Sequence, residues 1–484
     1  MYYIGIDLGT SSVKGILVTP AGEIMREASE EYPVSYPHDG WSEQKPEDWL
    51  CAVKKMIKNL AAGIETEVGG ISFGGQMHGL VALDGEGNVI RPCILWNDGR
   101  TQKQTDYLNE KIGRERLSAM TANIAYAGFT APKILWLKEN EPENFAKIKK
   151  IMLPKDYLVY KLTGKFSSDY SDASGTLLLD VKNKRWSKEM LEICSVKEEW
   201  LPPLYESYEA VGKVLPEYGL PNAIVAAGAG DNAAAAIGMG VVKNGDCNLS
   251  VGTSGTVFIV RDEFSADENN ALHAFAHANG KWHFMGCILS AASANKWWIE
   301  EILKTKAYED EVAPASDCLG ENGVFFLPYL MGERSPHNDV NARGAFIGMR
   351  PDTTRAEMGL AVLEGVAFAL RDCVEVARKS GVSVTRSCLC GGGAKSPLWE
   401  KILANVLDVE IVRTATEQGP SYGAALLAMV AGGEYSSVAA ATEKTVSYRS
   451  RLAPEKELVK KYNRKYEIYK TLYPSLKASF ALMK

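Results

Sequence analysis

The sequence predicts an α/β protein built from two similar halves, and three observations support this fold class. The chain has 484 residues, which is more than one hydrophobic core usually organises, so two domains are expected. Strand-like runs such as VGGISFGGQMHGLVALD alternate with helix-like runs such as PEDWLCAVKKMIKNLAAGI, whose apolar residues recur at helical spacing. A hairpin pattern at the N-terminus recurs in the middle of the chain, which indicates an internal duplication.

The first element is a predicted hairpin, YIGIDLGTSSVKGILV, in which two apolar strands flank a turn of small residues. A weaker copy, NLSVGTSGTVFIV, places residues 252–254 where residues 9–11 stand in the first hairpin, and both triplets read Gly-Thr-Ser. Such turns offer backbone N–H groups and hydroxyls to phosphate oxygens, so the pair predicts a shared phosphate clamp. Either turn alone is typical of an ordinary hairpin.

Composition restricts the classes of partner. The net charge is -6 and no block of Lys and Arg stands out, which argues against nucleic acid and favours a small-molecule ligand. Nine scattered cysteines indicate reduced thiols in a cytoplasmic protein. The N-terminus lacks the pattern of a secretory signal. Residues 221–242 are almost uncharged, but their glycines and turn signals argue against a membrane span.

The segment GAGDNAAAAIG places Asp231 where an apolar strand ends and a helix begins. One interpretation is helix capping, because an aspartate at a helix N-terminus accepts backbone N–H groups and suits the positive end of the dipole. The other interpretation is a catalytic base. The glycine spacing also fits a dinucleotide-binding fingerprint. We reject a dehydrogenase because the carboxylate would repel a pyrophosphate.

Two further segments predict contacts with a nucleotide. Asp7 lies in the first strand, just before the Gly-Thr turn, so a cation would have to stand between its carboxylate and a phosphate; Mg²⁺ is the usual solution. A turn-forming aspartate bonded to its own backbone is the alternative. In CGGGAKS, the three glycines at 391–393 would let a nucleotide lie flat against the backbone. The spacing is not that of a Walker loop, and a tight strand-to-helix turn is the alternative.

Polar and aromatic residues end two other predicted strands. GGQMHGL carries Met77 and His78, and ILWNDGR carries Trp96, Asn97 and Asp98. These residue types suit a sugar, because hydroxyl groups pair with amides and carboxylates while a tryptophan supplies an apolar wall. A histidine at a strand end, taken alone, is more typical of a structural role.

The chain resembles the FGGY carbohydrate kinases over nearly its whole length, and the members that act on D-xylulose most closely. The matching motifs are, in order, YIGIDLGTSSVK, WSEQKPEDW, GQMHGL, RPCILWNDGR, FTAPKILWLKENEP, LPKDYLVYKLTG, SDYSDASGTLLLDV, GAGDNAA, LSVGTSG, FLPYLMGERSPH and GGGAKS. Both family signatures are present, one containing Lys133 and the other Glu364. Ala229 stands where many relatives have glycine, and the chain beyond Thr442 matches little.

The resemblance implies an actin-like, ribonuclease H-like fold in which ATP and a sugar meet in the cleft between two domains. We expect a sugar-binding N-terminal domain over residues 1–246, a nucleotide-binding C-terminal domain over 247–442, and a charged helical tail over 443–484 that packs on or follows it. The implied reaction is phosphorylation of D-xylulose by ATP with Mg²⁺. A homodimer is the commonest symmetric assembly for such enzymes.

Carried over by position, the resemblance assigns roles to individual residues. Asp231 matches the catalytic base, and Asp7 fits Mg²⁺. The sugar-binding set is Met77, His78, Trp96, Asn97, Asp98 and Asn232. The phosphate contacts are Thr10, Lys14, Gly252 and Thr253, with Gly391, Gly392, Gly393 and Asn405 nearer the adenosine.

Two alternatives stay open. The first is a kinase of the same family for ribulose, gluconate or a deoxy-ketose, because hydroxyl stereochemistry cannot be deduced from one sequence. The second is a non-enzymatic actin-like module that binds a nucleotide, which would need neither the sugar set nor Asp231.

Overall fold

A computed structural model describes residues 1–483, which form two mixed β-sheets of seven strands each, with helices around them. The strands of the first half are β1 (Tyr2–Leu8), β2 (Ser12–Val18), β3 (Ile24–Glu31), β4 (Glu43–Gln44), β5 (Val68–Gly75), β6 (Val81–Leu83), β7 (Cys93–Ile94), β8 (Lys150–Met152), β9 (Ser168–Asp169), β10 (Leu179–Asp180), β11 (Arg185–Trp186), β12 (Leu204–Tyr205), β13 (Ala210–Lys213), β14 (Ile224–Ala226) and β15 (Ala229–Gly230). Those of the second half are β16 (Asp246–Val251), β17 (Gly255–Arg261), β18 (His273–Ala276), β19 (Trp282–Ile288), β20 (Phe325–Leu327), β21 (Ala345–Ile347), β22 (Arg386–Cys390), β23 (Glu410–Thr414) and β24 (Tyr448–Leu452).

The α-helices connect and cover these sheets. They are α1 (Pro46–Ala61), α2 (Gln102–Asp106), α3 (Arg114–Thr121), α4 (Thr130–Asn140), α5 (Pro142–Lys147), α6 (Pro154–Thr163), α7 (Tyr170–Ala173), α8 (Lys188–Cys194), α9 (Asp231–Gly238), α10 (Ala292–Lys296), α11 (Arg355–Lys379), α12 (Pro397–Leu407), α13 (Gly419–Ala431), α14 (Val438–Thr445) and α15 (Lys456–Leu482). Of the helices in residues 1–483, none combines the length and the apolar composition that a membrane crossing requires.

Local sequence explains where the long helices begin. Proline occupies the first turn of α1, where its missing N–H removes no helical hydrogen bond, and acidic residues follow it at the positive end of the helix. Before α11, Thr354 Oγ1 accepts the N–H of Glu357 at 3.2 Å, while Glu357 Oε2 accepts the N–H of Thr354 at 2.7 Å. This reciprocal capping box satisfies two donors that the helix leaves free.

The two large sheets repeat one topology. In the first, β1 pairs antiparallel with β2 and parallel with β5, while β2 continues to β3 and β5 to β14. In the second, β16 pairs antiparallel with β17 and parallel with β22, while β17 continues to β19 and β22 to β23. The Gly-Thr-Ser triplets form the β1–β2 and β16–β17 turns, so the predicted duplication is confirmed.

Helices α9 and α13 join the two halves. They cross so closely that a Cβ on Gly423 would lie 1.8 Å from the carbonyl oxygen of Ala234, and one on Gly238 would lie 2.1 Å from that of Gly419. Helix α13 also packs on the first sheet, since a Cβ on Gly5 would lie 1.9 Å from the carbonyl oxygen of Ser421. Only glycine permits these approaches. A shared core of residues from both sheets surrounds the helix pair.

The C-terminal segment is not wholly helical, contrary to the prediction for residues 443–484. Strand β24 pairs antiparallel with β23 and forms an edge of the second sheet. Helix α15 then packs buried tyrosines, including Tyr462 and Tyr469, against Phe368 of α11. Lys465 Nζ lies 2.6 Å from a carboxylate oxygen of the buried Glu364. The tail is therefore anchored to the second half by apolar packing and a buried ion pair.

Candidate active site

A cavity of about 770 Å³ lies between the two halves and brings together residues that are distant in the sequence. The first half contributes Met77, His78, Trp96, Asn97, Asp98, Asp231 and Asn232, which are all seven residues predicted to bind sugar or to act as the base. The second half contributes Ser254, Cys287, Glu333 and Arg334, among others. Because both halves line it, the cavity changes shape with any movement of one half against the other.

His78 is held in one orientation and one protonation state. Its Nδ1 lies 2.7 Å from the carbonyl oxygen of Gly175, and its ring stacks on Phe129. Burial, together with the charge of the nearby Lys133, lowers the pKa of His78 to about 3, so the ring is neutral. A carbonyl only accepts, so Nδ1 carries the proton and Nε2 offers a lone pair. His78 can therefore accept a hydrogen bond from a sugar hydroxyl.

The backbone of His78 is also fixed. Its φ of 70° is unusual for a residue other than glycine. Two side chains of α4 hold its carbonyl oxygen: Lys133 Nζ at 2.8 Å and Thr130 Oγ1 at 3.1 Å. Lys133 also donates to the carbonyl oxygen of Gly128 at 2.6 Å, and burial lowers the pKa of this lysine to about 7. The signature lysine thus ties together two stretches of the cavity wall.

Trp96 and Asn97 are exposed, whereas Asp98 is buried and already partnered. Trp96 is 48% exposed, and its Nε1 donates to Thr10 Oγ1 at 3.0 Å, which links the sugar side to the first phosphate turn. The carboxylate of Asp98 forms an ion pair with Arg100 at 2.6 Å and accepts the N–H of Ser42 at 2.6 Å. Asp98 therefore secures the wall of the cavity that it lines, and its role in sugar binding stays a prediction.

Asp231 is the first residue of α9, so the predicted helix start is confirmed. Its Oδ1 accepts the backbone N–H of Asn232 at 2.7 Å and the side-chain amide of the same residue at 3.0 Å. Burial raises the pKa of Asp231 to about 6, and the two hydrogen bonds oppose that rise. The carboxylate thus binds a free N–H of the helix and is also a stronger base than an ordinary aspartate.

Asp7 stands opposite Lys14 across the β1–β2 hairpin. Burial is the main cause that raises the pKa of Asp7 to about 7; the negative charge of Asp231 contributes to this rise, and the charge of Lys14 opposes it. Asp7 and Asp231 therefore lie close enough to repel each other. A cation between them would relieve that repulsion.

A second cavity, of about 960 Å³, lies on the other side of the second hairpin turn. It is lined by Thr253, Gly392 and Gly393, together with apolar side chains that include Leu398 and Trp399. Gly391 begins the glycine loop with a φ of 88°, and a Cβ there would lie 2.7 Å from the backbone of Val251. The glycine loop thus lies directly against the end of β16, beside Gly252.

Asn405 is not brought to either cavity. It lies in α12 with 1% of its surface exposed, where its amide donates to the carbonyl oxygen of Lys401 at 2.8 Å and accepts the N–H of Glu455 at 2.6 Å. The side chain therefore joins α12 to the start of α15. This position corrects the prediction that Asn405 lies near the adenosine.

The cavity is also lined by two residues, Glu333 and Arg334, to which the sequence alone assigned no role. Glu333 and Arg334 belong to the quoted motif FLPYLMGERSPH, which was the available signal. Burial raises the pKa of Glu333 to about 8, and its Oε1 accepts the N–H groups of Leu289 and Arg334. Lys133 was similarly visible only as part of a motif.

Known proteins resemble this chain over nearly its full length. The model of the FGGY family of carbohydrate kinases, N-terminal domain, matches residues 2–238, and that of the C-terminal domain matches residues 247–432. A xylulose kinase of Escherichia coli strain K12 is 40% identical, covering 98% of this chain and 99% of its own length. The same identity and share of this chain hold for a xylulose kinase of Lactococcus lactis, 96% of which is covered.

Solved structures agree with the sequence relatives. A "xyloylose kinase" from Brucella ovis superimposes with a TM-score of 0.93 and 41% identity, covering 99% of this chain and 100% of that one. A gluconate kinase from Lactobacillus acidophilus gives a TM-score of 0.94 at 26% identity, with 100% and 99% covered.

Proposed function

Since the chain belongs to the FGGY family of carbohydrate kinases, we propose that it transfers the γ-phosphoryl group of ATP to D-xylulose, giving D-xylulose 5-phosphate and ADP. The relatives named as xylulose kinases, at 40% identity over nearly the whole chain, support this substrate. The observation that carries the proposal is the position of Asp231, which faces the cavity beside the sugar-binding set and next to Asp7.

Asp231 is the proposed general base. Its carboxylate accepts the proton of the terminal hydroxyl as that oxygen attacks the γ-phosphorus of ATP in line; the bond from phosphorus to the bridging oxygen breaks, and ADP leaves. A pKa of about 6 leaves the carboxylate ionised at neutral pH while making it a better proton acceptor than a solvent-exposed aspartate.

The sugar is bound by the polar groups around the base. His78 Nε2 accepts a hydrogen bond from one sugar hydroxyl, and the side-chain amide of Asn232 is available beside Asp231. Met77 and Trp96 provide apolar surface to the carbon chain. Phe129 and Gly175 hold the ring of His78, so its lone pair keeps one direction when a sugar arrives.

Asp7 fits the proposed Mg²⁺. Within residues 1–483 no three histidine, cysteine or acidic side chains come together to hold a metal ion by themselves. Mg²⁺ needs no such cage, because it is held by one or two carboxylates together with substrate phosphates and water. Burial and then the charge of Asp231 raise the pKa of Asp7, and the charge of Lys14 opposes this rise only in part, which supports the proposal because a cation would favour the ionised carboxylate. When bound, Mg²⁺ neutralises negative charge on the phosphates of ATP.

As a carbohydrate kinase the chain uses ATP, and the second cavity is the proposed nucleotide site. Gly392 and Gly393 let the nucleotide lie against the backbone, while Trp399 and Leu398 supply apolar surface. Thr10 and Lys14 on the first hairpin, with Gly252 and Thr253 on the second, are proposed to bind phosphates. Thr253 lines this cavity and Ser254 lines the sugar cavity, so the second turn separates the two substrates.

The proposal is tested by sugar-dependent ADP formation with MgATP. We expect the highest kcat/KM with D-xylulose when D-ribulose, L-ribulose, L-xylulose, D-gluconate and glycerol are compared. The high structural similarity to a gluconate kinase makes D-gluconate the most informative competitor. A preference for another sugar would change the assigned substrate and leave the proposed mechanism unchanged. No turnover with any of them, despite ATP binding, would contradict the proposed reaction.

Two features are proposed on sequence grounds. The nine free thiols support a cytoplasmic location. A homodimer stays a prediction, which sedimentation at several concentrations would test.

A further inference from the structure

The loop that carries Asp231 is closely confined by its neighbours. Gly228 has a φ of 78°, and a Cβ there would lie 2.6 Å from the carbonyl oxygen of Phe73. A Cβ on Gly230 would lie 3.0 Å from the side chain of Met77. Gly230 immediately precedes the base, so the position of its peptide decides where the Asp231 carboxylate lies.

Ser171 holds that peptide by a hydrogen bond. The N–H of Gly230 donates to Ser171 Oγ at 3.1 Å, and the hydroxyl of Ser171 donates to Asp169 Oδ2 at 2.5 Å. A carboxylate that accepts from the hydroxyl fixes the direction of its hydrogen, so a lone pair of Oγ faces the Gly230 N–H. The carboxylate thus orients the hydroxyl, and the hydroxyl in turn holds the peptide before the base.

A buried charge cluster anchors Asp169. Lys155 Nζ lies 2.7 Å from Asp169 Oδ1 and 2.6 Å from Asp156 Oδ1, and all three side chains are at most 1% exposed. The opposite oxygen, Asp169 Oδ2, also accepts the backbone N–H of Ser171 at 2.8 Å and the hydroxyl of Ser207 at 2.7 Å. Charge-assisted bonds between buried groups hold their geometry firmly.

We propose that Ser171 is a positioning residue for the catalytic base: through the Gly230 N–H it transmits the fixed geometry of the Lys155–Asp169 pair to Asp231. This inference rests on the proposed role of Asp231. Ser171 is not among the residues that line the cavity. Its contribution is to hold the base in the geometry that proton transfer requires, where a displacement of about 1 Å costs about 10²-fold in rate.

The chain offers a matched control. Ser171 and Ser207 both donate a hydroxyl to the same oxygen of Asp169, and both are 1% exposed. Only Ser171 also accepts the Gly230 N–H. Ser171→Ala and Ser207→Ala therefore each remove one hydroxyl bond to Asp169 Oδ2, but only Ser171→Ala also removes the acceptor of the Gly230 N–H. The bond from the Gly228 N–H to the backbone carbonyl of Ser207 does not depend on either hydroxyl.

The test compares kcat, the KM for the sugar and thermal stability in the two variants. Both should lose similar stability, whereas Ser171→Ala alone should lower kcat, by about 10- to 100-fold, with little change in KM. Equal kcat in the two variants would overturn the inference. If Ser171→Ala does not fold, Ser171→Cys replaces it, since sulfur is a weak acceptor; kcat at the wild-type level in that variant would overturn the inference.

A second readout does not depend on turnover. Hydrogen exchange of the backbone amides at 228–232 should be faster in Ser171→Ala than in Ser207→Ala, because only the former leaves the Gly230 N–H without its acceptor. Equal exchange in the two variants would overturn the inference. An inactive wild-type protein in which Ser171→Ala alone speeds exchange would instead contradict the proposed reaction.

Discussion

Replacing Gly423 by alanine should displace Asp231, the proposed base, without altering that residue itself. Gly423 lies in α13 at the point of closest approach to α9, and a Cβ there would lie 1.8 Å from the carbonyl oxygen of Ala234 and 2.9 Å from the backbone nitrogen of Gly238. These are backbone atoms of a helix, so no side chain can rotate away. The two helices must separate.

The size of the separation follows from the contact distance. Ordinary contact begins at 3.4 Å, so the 1.8 Å approach requires a movement of about 1.6 Å. Asp231 is the first residue of α9, whereas α13 rests on the strand that carries Asp7. A misplacement of about 1 Å costs about 10²-fold in rate, so we expect kcat to fall at least that far. Overpacking should also cost about 1–3 kcal/mol of stability.

The matched control is Gly419→Ala on the same helix. A Cβ there would lie 3.7 Å from Ala235 Cβ, which is ordinary contact, so α9 and α13 need not move. The assay is sugar-dependent ADP formation, with circular dichroism to verify that both variants are folded. If folded Gly423→Ala matches Gly419→Ala in kcat within about twofold, the reasoning that links the helix contact to the base is refuted.

Three further predictions concern other residues. Burial lowers the pKa of His277 to about 3 from 6.5, so below pH 6.5 the unfolded chain takes up a proton at this residue that the folded chain does not; His277→Gln removes this proton uptake, so between pH 7.5 and pH 5.5 the free energy of unfolding in urea should change in the variant's favour by about 1.4 kcal/mol relative to the wild type, and an equal pH dependence would contradict burial of His277 in the neutral form. Trp96→Phe removes the hydrogen bond to Thr10 Oγ1, and kcat/KM for the sugar should fall about fivefold, the equivalent of one hydrogen bond; an unchanged value would show that this bond does not shape the site. Asn405→Ala should lower the melting temperature through loss of the bond to the N–H of Glu455 and leave the KM for ATP unchanged; a raised KM would restore the nucleotide role.

Much of the site was predictable because turn chemistry is local. The Gly-Thr-Ser triplets, the start of α9 at Asp231 and the glycine loop before α12 are each encoded by a few adjacent residues, and the structure forms a turn or a helix start at each. The duplication was also predictable from adjacent residues, since the two hairpins share one sequence pattern. Local signals thus predict the backbone from which the site is built.

The partners of buried charges were not predictable from adjacent residues. The carboxylate of Asp98 is held by Arg100 and by the N–H of Ser42, a residue 56 positions away in the chain. The partner of the Asn405 side chain on α12 is the N–H of Glu455 at the start of α15. This contact depends on how α15 packs, which the residues around Asn405 do not encode. The cluster beneath the catalytic loop combines α6, β9 and the segment before β13, which no periodicity brings together. Tertiary packing decides which polar groups stay free for a ligand.

The most direct test of the central claim is turnover of D-xylulose by Asp231→Asn, measured together with sugar binding by calorimetry. The amide keeps the shape of the side chain and its acceptor oxygen for the N–H of Asn232, but it cannot take up the proton of the hydroxyl. We predict that kcat falls by about 10²- to 10⁴-fold while the sugar Kd stays close to that of the wild type. Near-native kcat in a folded variant would contradict the assignment of Asp231 as the base.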